Sequence, residues 1–413
     1  MIRSLSAIQS LTAIRKMEGK LLHIVGGGHN QVPLIKKAKA MGLKILVTDI
    51  YETAPCRPFS DFFERIDTTD KENTYNAAVR HKIDYIITDQ TDVAVPTVAY
   101  IAEKLGLKGI GYETSLKFTD KHRMRDALKD KLPGNIPTFR FFTEIQSAIL
   151  YCSEQKNISD LLVKPVNSQG SKGVFRLTNE GYKNMILIAF SESKSHGILI
   201  EQFLEGDEYS VEGFKDDNQT YCLALTKKHH YLTNDCIDEK NEWLGNISPE
   251  IEKALFDLNK KVIDALDLPF GITHAEYKMV KGVPYLIEIA ARGGGGSISS
   301  KIVPFLTGFE PIQALLNKIT GDEEPFTIED YRKRFAILKF FNLKPGVIKK
   351  LTIDQNVVKD LPFFNFELKE GDIIKPVLDS RDRPGYFVVC DSDKQRAIEK
   401  EKAVEAAVHI EYV

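Results

Sequence analysis

Apolar and polar positions follow two different rhythms along this chain. In the first hundred residues, short apolar runs are separated by stretches in which apolar residues recur every three to four positions. Leu21 to Val25 reads as a strand, Gly26 to Gly28 as a tight turn, and Val32 to Met41 as a helix closed by Gly42. Lys44 to Val47 and Asp84 to Thr88 read as further strands, and Val93 to Leu105 as a helix stopped by Gly106. Strands alternating with helices at this spacing predict a parallel sheet with helices on both faces, because parallel neighbours need a long crossover between them.

Beyond about Ser115 the rhythm changes. A Lys/Arg-rich helix is expected over Asp120 to Lys131, then strands over Thr138 to Phe142 and Asp160 to Val163, the second entering a polar stretch from Pro165 to Gly173. Strands over Gly197 to Glu201 and Glu208 to Phe214 flank Glu205-Gly206-Asp207. A helix follows over Glu250 to Leu266, and then a hairpin, Thr273 to Ala291, runs into four consecutive glycines. From about Pro325, strands at Ala336 to Asn342 and Tyr386 to Cys390 and a closing helix, Asp393 to Val408, describe a small α+β unit. The expected division is 1–115, 116–323 and 324–413. Residues 1–19 are broken up by Ser, Thr and Gln, so they read as a helix or tail rather than a secretory signal.

Composition narrows the function classes. A chain of 413 residues allows roughly three domains at ~150 each, and 43% hydrophobic with 28% charged residues is the mix of a globular chain with sizeable cores. Lys+Arg 56 against Asp+Glu 58 leaves −2, which gives no electrostatic footprint for nucleic acid or an anionic membrane. No apolar run approaches the ~18 residues of a membrane span. Cys56, Cys152, Cys222, Cys236 and Cys390 are odd in number and never in a CxxC pair. That argues against a disulfide framework or structural zinc and fits a reducing cytoplasm.

Three constellations carry chemistry. Gly26 to Gly28 with Asp49 resembles half of a dinucleotide fingerprint, but Gln31 stands where the third glycine belongs. The turn is as readily structural, with room for an anion at the helix N-terminus. The loop after Lys164 is rich in Gly, Ser and Asn and can present backbone N–H groups to phosphate; an ordinary polar hairpin is the bland alternative. The hairpin is the most informative. If its turn centres on Gly282, Glu276 faces Glu288 with Cβ atoms ~5 Å apart, and alternation puts His274, Lys278 and Arg292 on the same face. Opposed carboxylates repel unless a cation lies between them, and hard oxygen donors at that separation suit Mg²⁺ carrying nucleotide phosphates. A solvated polar face fits less well with the run Gly293 to Gly296, which lets backbone approach a ligand.

Taken in order, these elements resemble the ATP-grasp superfamily, in the branch of carbamoyl-phosphate synthetase, biotin carboxylase and L-amino acid ligases. The resemblance covers nearly the whole chain. It implies an α/β chain: a preATP-grasp (Rossmann-like) parallel-sheet domain, the ATP-grasp fold with a mobile part over about 133–203, and a small C-terminal α+β domain. It also implies that Lys121 and Lys164 meet the ATP phosphates, that Gly170, Ser171 and Gly173 belong to the covering loop, and that Glu201, Gln202, Phe203 and Leu204 hold the adenine with Glu208 on the ribose. Glu276 and Glu288 match magnesium ligands and Arg292 the arginine at the reacting phosphate. Where the family commonly has Glu-x-Asn-x-Arg, this chain has Ala290, which offers no metal ligand.

The implied activity is an ATP- and Mg²⁺-dependent (or Mn²⁺-dependent) ligase that joins a small-molecule carboxylate to an amine or thiol through an acyl phosphate. Partners are small molecules, with no nucleic acid and no membrane, and a homodimer is left open. Alternatives are a bicarbonate-phosphorylating carboxylase or carbamoyl-phosphate synthetase-like enzyme, an ATP-binding regulator without turnover, and, weakest, a nicotinamide-dependent oxidoreductase. His274 reads as a strand histidine or a substrate contact. Lys227 to His230 read as a solvated turn, with Lys228 in a carboxylate pocket as the alternative, and Arg381 and Arg383 resemble the start of the C-terminal strand of amino acid ligases.

Overall fold

The computed structural model describes residues 17–413 except 196, 218, 233, 323 and 324. The helix or tail expected before Met17 lies outside the described residues.

The N-terminal sheet is built from β1 (Leu21–Val25), β2 (Lys44–Asp49), β3 (Phe62–Arg65) and β4 (Tyr85–Ile87), all parallel, in the order β3-β2-β1-β4. Its central strands are buried apolar runs, as the rhythm predicts. β3 and the helix Lys71–His81 were not legible. β3 is a short, half-exposed edge strand, and the helix buries only Thr74, Ala77 and Ala78, so neither carries a strong apolar period. Asp49 ties down the first turn, accepting from the Gly27 amide at 2.7 Å and the Tyr51 amide at 2.8 Å.

A second sheet holds β5 (Phe139–Phe142), β6 (Leu161–Pro165), β7 (Phe175–Arg176) and β8 (Ile198–Gln202) in the order β5-β8-β6-β7. Helices Ile145–Ser153 and Tyr182–Glu192 close its core, with Ala148, Cys152, Ile186 and Ala189 buried against Val163, Ile198 and Ile200.

The largest sheet starts with β9 (Asp207–Asp216), β10 (Gln219–Tyr231), β11 (Asn234–Trp243), β12 (Gly271–Val280) and β13 (Val283–Ala290). The C-terminal stretch contributes β14 (Phe335–Phe340), β15 (Gly346–Ile353), β16 (Phe363–Phe366), β17 (Ile373–Ile374), β18 (Gly385–Asp391) and β19 (Val408–Tyr412). Eight of these strands form one antiparallel sheet, β13-β12-β9-β10-β11-β14-β18-β16, while β17-β15-β19 form a small separate one. Hydrogen bonding therefore continues from the carboxylate hairpin to the C-terminal strands through the β11–β14 pair. The helix Pro249–Ala265 starts on a Ser248 cap. It buries Leu255, Leu258, Val262 and Ile263 beneath Val211, Ala275 and Tyr277.

The register of β12 on β13 pairs His274 with Ala290 and Glu276 with Glu288. Glu276 and Glu288 are thus opposed as expected, although the turn is not. Val280 pairs with Val283 across the two-residue loop Lys281-Gly282, both at positive φ (48° and 82°), which suits a tight primed turn. The register then slips between Glu276 and Tyr277, where Ile287 is the extra residue of a β-bulge. The bulge offsets the half-residue error in turn position and brings the two carboxylates opposite each other.

Candidate active site at the carboxylate hairpin

A cavity of about 1460 Å³ opens where the sheets meet. Lys121, Lys164, Gly170, Ser171, Glu201, Gln202, Phe203, Leu204, Glu208, Lys228, His274, Glu276, Glu288 and Arg292 all line it. Gly173 and Arg381 do not. Gly173 sits at φ +70°, where a Cβ would lie 3.0 Å from Pro165 and 3.2 Å from the Ala189 backbone. Arg381 is more than half exposed and pairs with Asp379 (2.6 Å) and Glu192 (3.4 Å). Arg383, two residues on, is the one that faces the cavity.

On the nucleotide side, Asp120 caps the helix Lys121–Leu128 by accepting from the His122 and Arg123 amides (2.9 and 3.0 Å). One turn apart on its inner face lie Lys121 and Arg125, both buried. Lys121 Nζ donates to Glu288 Oε1 (3.1 Å) and to the Ser168 carbonyl (3.0 Å). Arg125 Nε donates to Glu201 Oε1 (2.8 Å) and its terminal nitrogen to the carbonyl of the bulge residue Ile287 (2.7 Å). Lys164 Nζ lies 2.6 Å from Glu201 Oε2. Burial acts to raise Glu201, but Arg125 and Lys164 outweigh it and hold the carboxyl below its ordinary range. Burial, aided by Arg125 and Lys121, brings Lys164 down to about 8 despite Glu201.

On the hairpin face, Glu276 Oε1 lies 2.6 Å from Lys228 Nζ and 3.5 Å from His274 Nε2. Lys228 also reaches Glu208 Oε1 (3.0 Å), whose other oxygen meets His230 (3.1 Å). The expected solvated turn at Lys227 to His230 is instead the paired end of β10. Its pattern reads as polar because Lys228 and His230 are held by carboxylates rather than by water. His274 Nδ1 lies 2.7 Å from Glu212. Burial opposes its charge, yet Glu212 and Glu276 prevail and hold it up at about 9, so it is an imidazolium at neutral pH. Glu276 in turn stays well below the usual carboxylate range despite burial, held by Lys228 and His274.

Whether this face fits a divalent cation follows from its donors. Glu276 and Glu288 offer hard oxygens from directly opposed positions at a cavity wall, and Ala290, opposite His274, adds none. Among the described residues no group of three or more His, Cys, Asp or Glu is arranged to hold a metal alone. The pair therefore suits an ion that brings its other ligands with it, as Mg²⁺ does with phosphates and water.

Arg292 Nε and its terminal nitrogen each donate to the Asp92 carboxylate at 2.8 Å, and its other terminal nitrogen to the Gly293 carbonyl (3.0 Å). The glycines that follow are mostly a packing requirement. A Cβ on Gly293 would lie 2.8 Å from Asp89 and closer still to Ser299, one on Gly294 3.0 Å from His274, and one on Gly296 2.5 Å from Leu338. Only Gly295 faces open space. The loop over the cavity is fastened at three points. With its side-chain amide turned so that the oxygen meets donors, Gln169 accepts from the Asp92 and Val93 amides (3.2 and 3.0 Å); the Gly170 carbonyl accepts from the Ser380 amide (3.2 Å), and Ser171 donates to the Cys236 carbonyl (2.8 Å).

Residues 159–301 match the ATP-grasp domain, and residues 339–413 match the L-amino acid ligase C-terminal domain 2. The chain thus carries an ATP-grasp domain followed by an L-amino acid ligase C-terminal domain. This ATP-grasp chain has the fold of an L-amino acid ligase from Bacillus licheniformis, with a TM-score of 0.78 at 22% identity over 96% of this chain and 99% of that one. It is also similar in fold to an ATP-bound carboxyaminoimidazole ribonucleotide synthase, with a TM-score of 0.72 at 16% identity over 94% and 98% of the two chains. In sequence it is 25% identical to the alanine–anticapsin ligase of Bacillus subtilis over 59% of this chain, and spans 58% of that ligase's length. It is 24% identical to the L-arginine-specific L-amino acid ligase of Bacillus subtilis over 70% of both chains.

Four residues of the ATP-grasp site were not foreseen: Arg125, Asp92, Glu212 and Arg383 as a wall residue. Arg125 had a signal, its one-turn spacing from Lys121. Asp92 had none, because its partner lies two hundred positions away.

Proposed function

We propose that this chain is an ATP-dependent ligase joining a small-molecule carboxylate to an amine through an acyl phosphate, with release of ADP and phosphate. The observation that carries the reading is the convergence of two opposed carboxylates, Glu276 and Glu288, with three cations, Lys121, Lys164 and Arg292, around one cavity beneath a fastened loop. The ATP-grasp domain match over 159–301, the L-amino acid ligase domain match over 339–413 and the similarity to two amino acid ligases support it.

In this reading a carboxylate oxygen attacks the γ-phosphorus and ADP leaves; the amine then attacks the acyl carbon and phosphate leaves. Lys121 and Lys164 orient the phosphates, and Arg292, held flat by Asp92, faces the charge that builds on the transferring group. Glu276 and Glu288 would hold Mg²⁺, with Mn²⁺ as a substitute; when bound, it neutralises phosphate charge. The backbone from Gln202 to Leu204 holds the adenine, with Glu201 fixing the strand from behind and Glu208 at the ribose. The fastened loop excludes water from an intermediate that hydrolyses readily. The units are 1–115, 116–323 and 324–413, with 133–203 as the moving part, which is the span containing the separate second sheet.

The test is ADP release from ATP with pairs of amino acids, with hydroxylamine trapping the activated carboxylate as a hydroxamate. Glu288→Gln should abolish turnover while nucleotide still binds, since adenine is held elsewhere. Undiminished turnover would remove Glu288 from the chemistry. Nucleotide binding with no turnover across a full panel would favour the regulator reading that Ala290 suggests.

A further inference from the structure

Next to the carboxylate hairpin the cavity has a wall of a different kind. Phe340, Phe363 and Tyr386 come from β14, β16 and β18, are all half-buried, and all line the cavity. Phe363 and Tyr386 are stacked, with centroids 4.5 Å apart and planes at 16°, and Phe340 leans on Tyr386 at 5.5 Å. Apolar rings left facing open space beside a charged site mark a subsite for an apolar group, because burying them against a ligand removes that surface from water.

This wall and the reaction centre line the same cavity. On one side Glu276 is held by Lys228. Lys228, the partly buried Asp238 and Arg383 all line the cavity, and Asp238 accepts from Arg383 both at its carboxylate and at its carbonyl (2.7 Å). The Arg383 guanidinium carbon lies over Phe340, 3.7 Å from the ring centroid. On the other side, Arg292, the open Gly295, Ser297 and Tyr386 all line the cavity. Arg383 and Asp238 neutralise each other. Glu367, also in the lining, is engaged by the Asn365 amide (2.8 Å). The wall thus offers planar apolar surface with the Glu367 carboxylate at its rim, beside Gly295, where nothing fills the space a side chain would need.

We infer that one of the two reactants is an amino acid with an aromatic side chain, seated against Phe340, Phe363 and Tyr386. This rests on the ligase reading and adds the substrate class to it. Small side chains leave the rings exposed, and a cationic one meets Arg383.

The experiment is a full pairwise amino-acid panel with MgATP, read by ADP release and by product mass. Binding of single amino acids to the protein loaded with a non-hydrolysable ATP analogue is measured alongside. Phenylalanine, tyrosine or tryptophan should appear in the best pair, with kcat/KM at least about tenfold above the alanine counterpart. Phe363→Ala should raise the aromatic substrate's KM about tenfold with the KM for ATP unchanged. Phe363→Tyr, which restores a ring, should recover the aromatic substrate's KM, and that rescue together with the unchanged KM for ATP excludes a fold defect in Phe363→Ala. Turnover confined to small, acidic or basic amino acids, or an aromatic KM indifferent to Phe363→Ala, overturns the inference and leaves the ligase standing. Saturable binding of aromatic amino acids with no ADP release sinks the ligase reading and keeps the subsite. Neither binding nor turnover with aromatic amino acids overturns the subsite as well.

Discussion

Arg292 and Asp92, two hundred positions apart in sequence, form a two-point ion pair with both nitrogen–oxygen distances at 2.8 Å, and both side chains are largely buried. The acid stands at the start of a short 3-10 turn of the N-terminal unit, and the backbone amides of Asp92 and Val93 are the ones on which Gln169 of the covering loop rests. One residue thus orients the arginine and receives the loop.

Removing that anchor should affect the chemical step more than binding. Asp92→Asn keeps the shape but replaces a charged clamp by a neutral one, leaving Arg292 free to swing. A misplacement on the order of 1 Å can cost about a hundredfold in rate. We expect kcat to fall by about that factor while the KM for ATP moves little, as measured by steady-state ADP release. A parallel rise in the KM for ATP would mean that Asp92 supports the nucleotide itself.

Arg125 is a purely internal cation, fully buried between Glu201 and the Ile287 carbonyl. Arg125→Met preserves most of the volume but leaves Glu201 to Lys164 alone and the Ile287 carbonyl without its donor, a loss below the roughly 3–5 kcal/mol of a fully stranded buried charge. Thermal or urea unfolding should show the loss, with Arg125→Lys intermediate. Because Arg125 also helps to depress Lys164, the Lys164 amine should titrate above its present value of about 8 in the variant. Lysine labelling against pH would read this directly.

His23 supplies a pH dependence remote from the active site. It is fully buried in β1, its Nε2 facing the Thr48 hydroxyl at 2.9 Å, and burial pushes it down to about 3 from an ordinary 6.5. Above pH 6.5 neither folded nor unfolded chain protonates it. Below that, the unfolded chain takes a proton that the folded one refuses, so stability drains away as pH falls from 6.5 toward 3. Between pH 7 and 5 the loss is about 2 kcal/mol. Amide exchange at Leu22 to Ile24 should quicken accordingly, and His23→Gln should remove that part of the trend.

Much of the architecture was legible because it rests on local periodicity. β1, β2 and the helix before Gly106 are apolar runs or amphipathic turns with clear stops. The Glu276–Glu288 opposition could be read from spacing, although the bulge at Ile287 that secures it left no mark in the sequence: an isoleucine in a bulge looks like any other strand residue. The solvated turn expected at Lys227 to His230 is instead a paired strand end: two lysines and two histidines in a row look solvated until the carboxylates of Glu208 and Glu276 are brought in from β9 and β12. Asp92 and Arg383 belong to the same class, since their roles come from partners that only the folded chain supplies.

The pairing of β11 with β14 carries a warning for anyone who trims this molecule. A shortened chain ending ahead of β14 would leave β11 as a bare edge along Lys240 to Trp243, where the ladder to Ala336 and its neighbours now lies. Such an edge, with the buried indole of Trp243 uncovered, is a template for joining another copy strand to strand. The C-terminal segment therefore also serves as this protein's guard against self-association.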